Sequence, residues 1–174
     1  MAKTKKPETT TTTPQQEIAK MSTFESILTS TTRLDDIKDV PPIPAGTYFT
    51  QIVGPHEMIK SNQKQTDGAQ ITLRLLQTKD DVDADALKTH LEASNRNLAD
   101  VQLKYTFWDS PYLEQSLRNF FRDSLGFDGD WSVPQCFANI PGKNVLVHVK
   151  HRPVRSNDGT MRIAAEVDTF ARAE

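Results

Sequence analysis

From Gly46 onward, apolar and polar residues alternate in short runs, and that period of two predicts strands. Thr47 to Val53 is rich in Tyr, Phe, Ile and Val. In Ala69 to Gln77, Ile71, Leu73 and Leu75 point one way while Thr72 and Arg74 point the other. Val101, Leu103, Tyr105 and Phe107 share one face of a third strand that ends at Trp108. Val145, Val147 and Val149 alternate with Leu146, His148 and Lys150, and Ile163, Ala165 and Val167 alternate with Arg162, Ala164 and Glu166. Between these last two runs, Ser156-Asn157-Asp158-Gly159 reads as a hairpin turn. One segment has a longer period. Leu113, Leu117, Phe120, Phe121 and Leu125 recur at helical spacing, after a Ser110 cap and a Pro111 at the first helical position, and Gly126 stops the run.

The intervening segments are polar. Lys60 to Gly68 reads as a turn, and Phe127 to Pro141 as a loop. Residues 80–100 hold Asp80, Asp81, Asp83, Asp85, Glu92 and Asp100 against Lys88 and Arg96, and read as an acidic, solvated insertion with a helix over Ala84 to Asn95. Residues 1–42 read as a flexible tail. Lys3, Lys5, Lys6 and the run Thr9 to Thr13 have almost nothing to bury against the entropy of ordering, and residues 22–31 could form a short helix. Pro41, Pro42 and Pro44 stiffen the approach to a domain over residues 43–174. The order is strand, strand, insertion, strand, helix, strand, strand. A mainly β domain follows, with the strand count and helix position of a five-stranded OB-like barrel; a small antiparallel sheet packed by one helix is the alternative.

Composition changes this picture little. Apolar residues are 36% of the 174, which fits a chain with a segment outside the core. The single cysteine, Cys136, cannot form an intramolecular disulfide and points to a reducing compartment such as a cytoplasm. No apolar run reaches the roughly 18 residues of a membrane span, and the first residues lack the apolar stretch of a signal peptide. No phosphate loop, GxGxxG, HExxH or GxSxG occurs, so the chain reads as non-enzymatic. His148 and His151 fall on opposite strand faces, and the Asp80–Asp85 run lacks the glycine and terminal glutamate of a calcium loop; neither a metal nor a cofactor is expected.

Charge matters more in its distribution than in its net value of −2. From Lys143 to Arg162, five positive charges (Lys143, Lys150, Arg152, Arg155, Arg162) against Asp158 leave a local net of +4. Lys60 and Lys64 lie in the first strand connection, and Arg74 and Lys104 on the polar faces of their strands. In an OB barrel the second and third strands and the first and last hairpin loops bind nucleic acid, and these are the elements that carry the basic residues. Single-strand binding also requires rings on which bases stack. Trp108 shares the parity of Lys104 and Thr106, whereas Tyr105 and Phe107 go with the core. The nucleic-acid-binding set is therefore Lys60, Lys64, Arg74, Lys104, Trp108, Lys150, Arg152 and Arg155. A basic hairpin can also serve only as a solvated edge that discourages strand aggregation.

Pro44-Ala45-Gly46-Thr47-Tyr48, then Gln51-Ile52, a lysine-containing loop and Gln70-Ile71-Thr72-Leu73, resemble the opening of a group of small bacteriophage single-stranded-DNA-binding proteins. Leu125-Gly126 and Gly142-Lys143-Asn144-Val145-Leu146-Val147 match that group's helix end and final hairpin. The resemblance spans roughly residues 43–170. It implies an OB-fold protein of phage replication or recombination in the host cytoplasm. Its partners would be single-stranded DNA, replication or recombination proteins, and other copies of itself. The acidic insertion departs from the pattern, as does a final Ala171-Arg172-Ala173-Glu174 without an acidic tail. A structural or assembly protein of a phage particle, using the β domain for protein contacts, is the alternative.

Overall fold

A computed structural model of the protein describes residues 39–156 and 159–173. The expectations for the tail over residues 1–20 and the helix over 22–31 lie outside the described residues.

Six antiparallel strands form one sheet. Strand β1 (Gly46–Ile52) alternates buried and half-buried residues along its length, as its apolar period requires. The chain breaks at Gly54, whose φ of +70° suits glycine, and at Pro55, then resumes as β2 (Glu57–Lys60). Strand β3 (Asp67–Thr78) is long enough to serve both pieces. It pairs with β2 through residues 67–70 and with β1 through 73–78. On its other edge, β3 pairs with β4 (Gln102–Trp108). On the far side, β1 pairs with β5 (Asn144–Arg155), which forms a hairpin with β6 (Met161–Arg172). The sheet thus runs β4, β3, β1 continued by β2, β5, β6. It is open: among the described residues β4 and β6 meet through side chains, with the Tyr105 and Phe170 rings 4.8 Å apart, and not through a ladder.

Inward residues of the strands make the core. Tyr48, Ile52, Ile71, Leu73, Leu75, Val145, Val147 and Val149 are all fully buried. Helical residues cover them. The helix expected after Pro111 runs over Leu113–Arg118 as α-helix (the second helix of the fold) and widens into a π-helical turn over Asn119–Ser124, which carries Phe120 and Phe121 inward. Gly126, at φ +72°, ends it in the left-handed conformation. Phe107, Phe120 and Phe170 form a ring cluster, with Phe120 5.1 Å from Phe107 and 4.8 Å from Phe170. The segment read as a loop holds a further short helix, α3 (Val133–Ala138), which buries Cys136 and Phe137.

The acidic insertion is solvated and helical as read, but it is also tied to the domain. Its helix α1 (Ala84–Ser94) is capped by Asp83, whose carboxylate accepts from the Asp85 and Ala86 N–H groups at 3.0 and 2.9 Å. Leu87, Leu91 and Leu98 pack against the core. The proline segment is fixed by three side chains: Tyr48 Oη donates to Pro44 O at 2.8 Å, His90 Nδ1 to Pro41 O at 2.7 Å and His151 Nε2 to Ile43 O at 2.9 Å.

Candidate nucleic-acid interface

Strand parity decides which side chains leave the core. On β4, Lys104, Thr106 and Trp108 face outward, and on β3 so do Gln70, Thr72 and Arg74. The ladder sets Lys104 opposite Thr72, Trp108 opposite Gly68, and Arg74 between Gln51 and Gln102. Lys104 and Trp108 are thus about 14 Å apart along one strand, at ~3.4 Å per residue. The indole lies across Gly68: a Cβ added there would come within 2.7 Å of Trp108 Cε3. A side chain at position 68 would occupy the place of the ring, and 39% of Trp108 is exposed. Gln70 Nε2 donates to Thr106 Oγ1 at 3.1 Å, which orders the polar row beside the indole.

The remaining cations are divided between the two ends of the sheet. Lys60 and Lys64 stand at the end that holds Trp108, where β2 turns into β3. Lys60 pairs with Asp67 at 3.4 Å. Lys150, Arg152 and Arg155 stand at the opposite end, on the arm that β5 and β6 form beyond the last β1 pair, Gly46 with Val149. Lys150 and Arg152 do share the outward face of His148, but each has a partner on β6. Lys150 donates a charged hydrogen bond to Asp168, which raises its pKa, and Arg152 pairs with Glu166 at 3.5 Å. Arg155 lies opposite Met161 and has the parity of the valines, so it projects from the other face of the arm.

Between the arm and the centre of the sheet stands a carboxylate. Asp81 Oδ1 accepts from the Thr47 N–H at 3.0 Å and Oδ2 from the Thr47 hydroxyl at 2.7 Å, while His148 Nδ1 is 3.9 Å away. The Thr47 hydroxyl and N–H hold the Asp81 carboxyl below its ordinary pKa. Among the described residues, Arg74, Lys104, Lys64 and Arg155 have no carboxylate within ion-pair distance. Arg74 and Lys104 are the two of these that share a face with Trp108.

A second group of cations and rings lies outside the set that the sequence singles out. Lys143 Nζ lies 5.0 Å above the centre of the Phe127 ring, which is 5.2 Å from Trp131. The Arg172 guanidinium rests against Gly126. Trp131 is 42% exposed, yet nothing in its sequence neighbourhood sets it beside Lys143, twelve residues on. No protein-family model matches the chain, and no curated protein matches it.

Proposed function

We propose that the outer face of β3 and β4 binds single-stranded DNA without sequence preference, and that the chain acts as a non-enzymatic binding module. The observation that carries this reading is an exposed indole, Trp108, on the same sheet face as two cations, Arg74 and Lys104, that have no ion-pair partner among the described residues. Bases of any identity stack on an indole, and free cations release counterions from phosphates, so the combination gives affinity with little sequence preference. The ladder order supports an OB-type barrel, since β4–β3–β1–β5–β6 is the order of that barrel without its closing pair. On that reading, Lys60 and Lys64 belong to the first hairpin loop and Arg155 to the last. The resemblance of its short sequence motifs to those of phage single-strand-binding proteins favours a role in phage replication or recombination.

A titration with a labelled single-stranded oligonucleotide, a duplex and an RNA of matched length tests the reading. Single-stranded DNA is expected to bind at low salt and to dissociate as salt rises. Trp108→Ala is expected to cost roughly 1–3 kcal/mol with the salt slope nearly unchanged, because stacking releases few counterions. Absence of binding at low salt would sink the proposal. A loss on Trp131→Ala with none on Trp108→Ala would move the interface to the Lys143 side. One observation favours the reading as an assembly protein: Met161 and Ile163 on the hairpin arm are 64% and 59% exposed.

A further inference from the structure

We propose that two copies of the chain pair through the free edge of β6, with their hairpin arms antiparallel and a two-fold axis at Ala164. The backbone comes first. Ser156 N–H donates to Thr160 O at 2.8 Å at the base of the turn. Antiparallel pairs alternate between bonded and non-bonded. Counting from that bond, Val154 with Arg162, Arg152 with Ala164 and Lys150 with Glu166 are the bonded pairs of the arm. The N–H and C=O groups of Met161, Ile163 and Ala165 therefore point away from β5. Pro153 agrees with this register, since it lies opposite Ile163 and has no N–H to give. Among the described residues no strand is hydrogen-bonded to that edge, and β4 approaches β6 through the Tyr105 and Phe170 rings, beyond the arm.

An edge of this kind, with large apolar residues exposed, invites strand addition. The side chains say which strand fits. From Met161 to Val167 the strand reads Met-Arg-Ile-Ala-Ala-Glu-Val. Paired antiparallel with itself about Ala164, it sets Arg162 opposite Glu166 of the second copy, twice by symmetry. Ile163 then meets Ala165 on the other face, and Met161 lies beside the backbone of Val167, whose side chain is buried in the core. Ile163 with Ala165 and Met161 with Val167 are the bonded pairs that the free N–H and C=O groups require. The charged pairs and Ala164 fall at the closer, non-bonded positions, where the small alanine lets the two strands approach. Centring on Arg162 or on Glu166 instead would set like charges opposite one another. A two-fold contact of this kind is self-complementary and closes, giving a dimer and not a filament. It would cover Met161 and Ile163, the two most exposed apolar residues of the arm.

Sedimentation of the full chain at micromolar concentration tests the pairing. The wild type is expected to have twice the chain mass. Arg162→Glu sets glutamate against glutamate and is expected to raise the dimer dissociation constant about tenfold or more. Adding Glu166→Arg to that variant restores opposite charges and is expected to restore the dimer. Ile163→Pro removes an edge N–H without touching the β5–β6 bonds, and is expected to be monomeric with unchanged circular dichroism. A monomeric wild type overturns the proposal, as does a dimer that survives both Arg162→Glu and Ile163→Pro. Because Glu166→Arg also removes the carboxylate that Arg152 pairs with in its own chain, the double swap is read together with circular dichroism: with an unchanged spectrum, a swap that stays monomeric overturns the Ala164 register. DNA binding by a monomeric variant does not bear on these outcomes, so this pairing and the nucleic-acid reading fail separately.

Discussion

Asp81 shows how one side chain can tie a charged insertion to a sheet. Its carboxylate accepts two bonds from Thr47, 34 residues earlier, and these bonds depress its pKa. A carboxyl whose folded pKa is depressed contributes stability that is fully present above its unfolded value of about 3.9 and lost as pH falls through the folded value. Wild-type stability is therefore expected to fall in that acid range, and Asp81→Asn to fall less steeply there, because an amide has no proton to take up. Urea unfolding at a series of acid pH values measures both; superimposable acid limbs would remove Asp81 from the account. The sequence run of aspartates gave no hint of this, since a local charge count cannot see a partner so far along the chain. Thr50 was equally hidden. It occupies an inward position where alternation calls for an apolar residue, and it is satisfied by donating its hydroxyl to Val145 O at 2.8 Å.

Elements with sustained period were legible, and short or interrupted ones were not. The helix after Pro111 announced itself because five apolar residues recur on one face, and Gly126 ends it as expected. The π-helical turn over Asn119–Ser124 could not be read that way, because Phe120 and Phe121 fit an ordinary helical face equally well. Phe120 is fully buried among Phe107, Phe121 and Phe170, so Phe120→Ala is expected to cost roughly 3–5 kcal/mol. Denaturant unfolding gives the value, and a loss below about 1 kcal/mol would mean that the ring contributes little to the core. Helix α3 covers six residues, too few for a helical period to stand out. Its signal was the capping box: the Gln135 side chain accepts from the Ser132 N–H at 2.9 Å, and Pro134 lies in the first turn. Strand β2 lies beyond the expected first strand, Thr47 to Val53, and at four residues is too short for a period to stand out; Gly54-Pro55 marks the break before it.

At the scale of the molecule, five of the six strands were legible in chain order from hydrophobic alternation, but the charge balance of the hairpin was not. A count from Lys143 to Arg162 stops short of Glu166 and Asp168, which the antiparallel register folds back onto Arg152 and Lys150. The +4 of that window is therefore not the charge that a nucleic acid would meet. Arg74 and Lys104 have no such partners among the described residues, and they share the face of Trp108. A cation that replaces a counterion on a phosphate steepens the salt dependence of binding, by about 0.7 in log K per log salt for a single strand. A cation already matched by a carboxylate releases little. Arg74→Ala and Lys104→Ala are thus each expected to flatten the salt slope by up to about 0.7, and Lys150→Ala and Arg152→Ala to leave it near wild type. Arg155→Ala reports how far the strand travels, because Arg155 is free of ion pairs among the described residues but projects from the other face of the arm. A lost slope there carries the path onto the hairpin; an unchanged slope confines it to β3 and β4. The measurement is one oligonucleotide titrated at several salt concentrations with wild type and the five variants. If Lys150→Ala and Arg152→Ala flatten the slope while Arg74→Ala and Lys104→Ala do not, the ion pairs on the arm open to the DNA, and the sheet face is not where the strand lies.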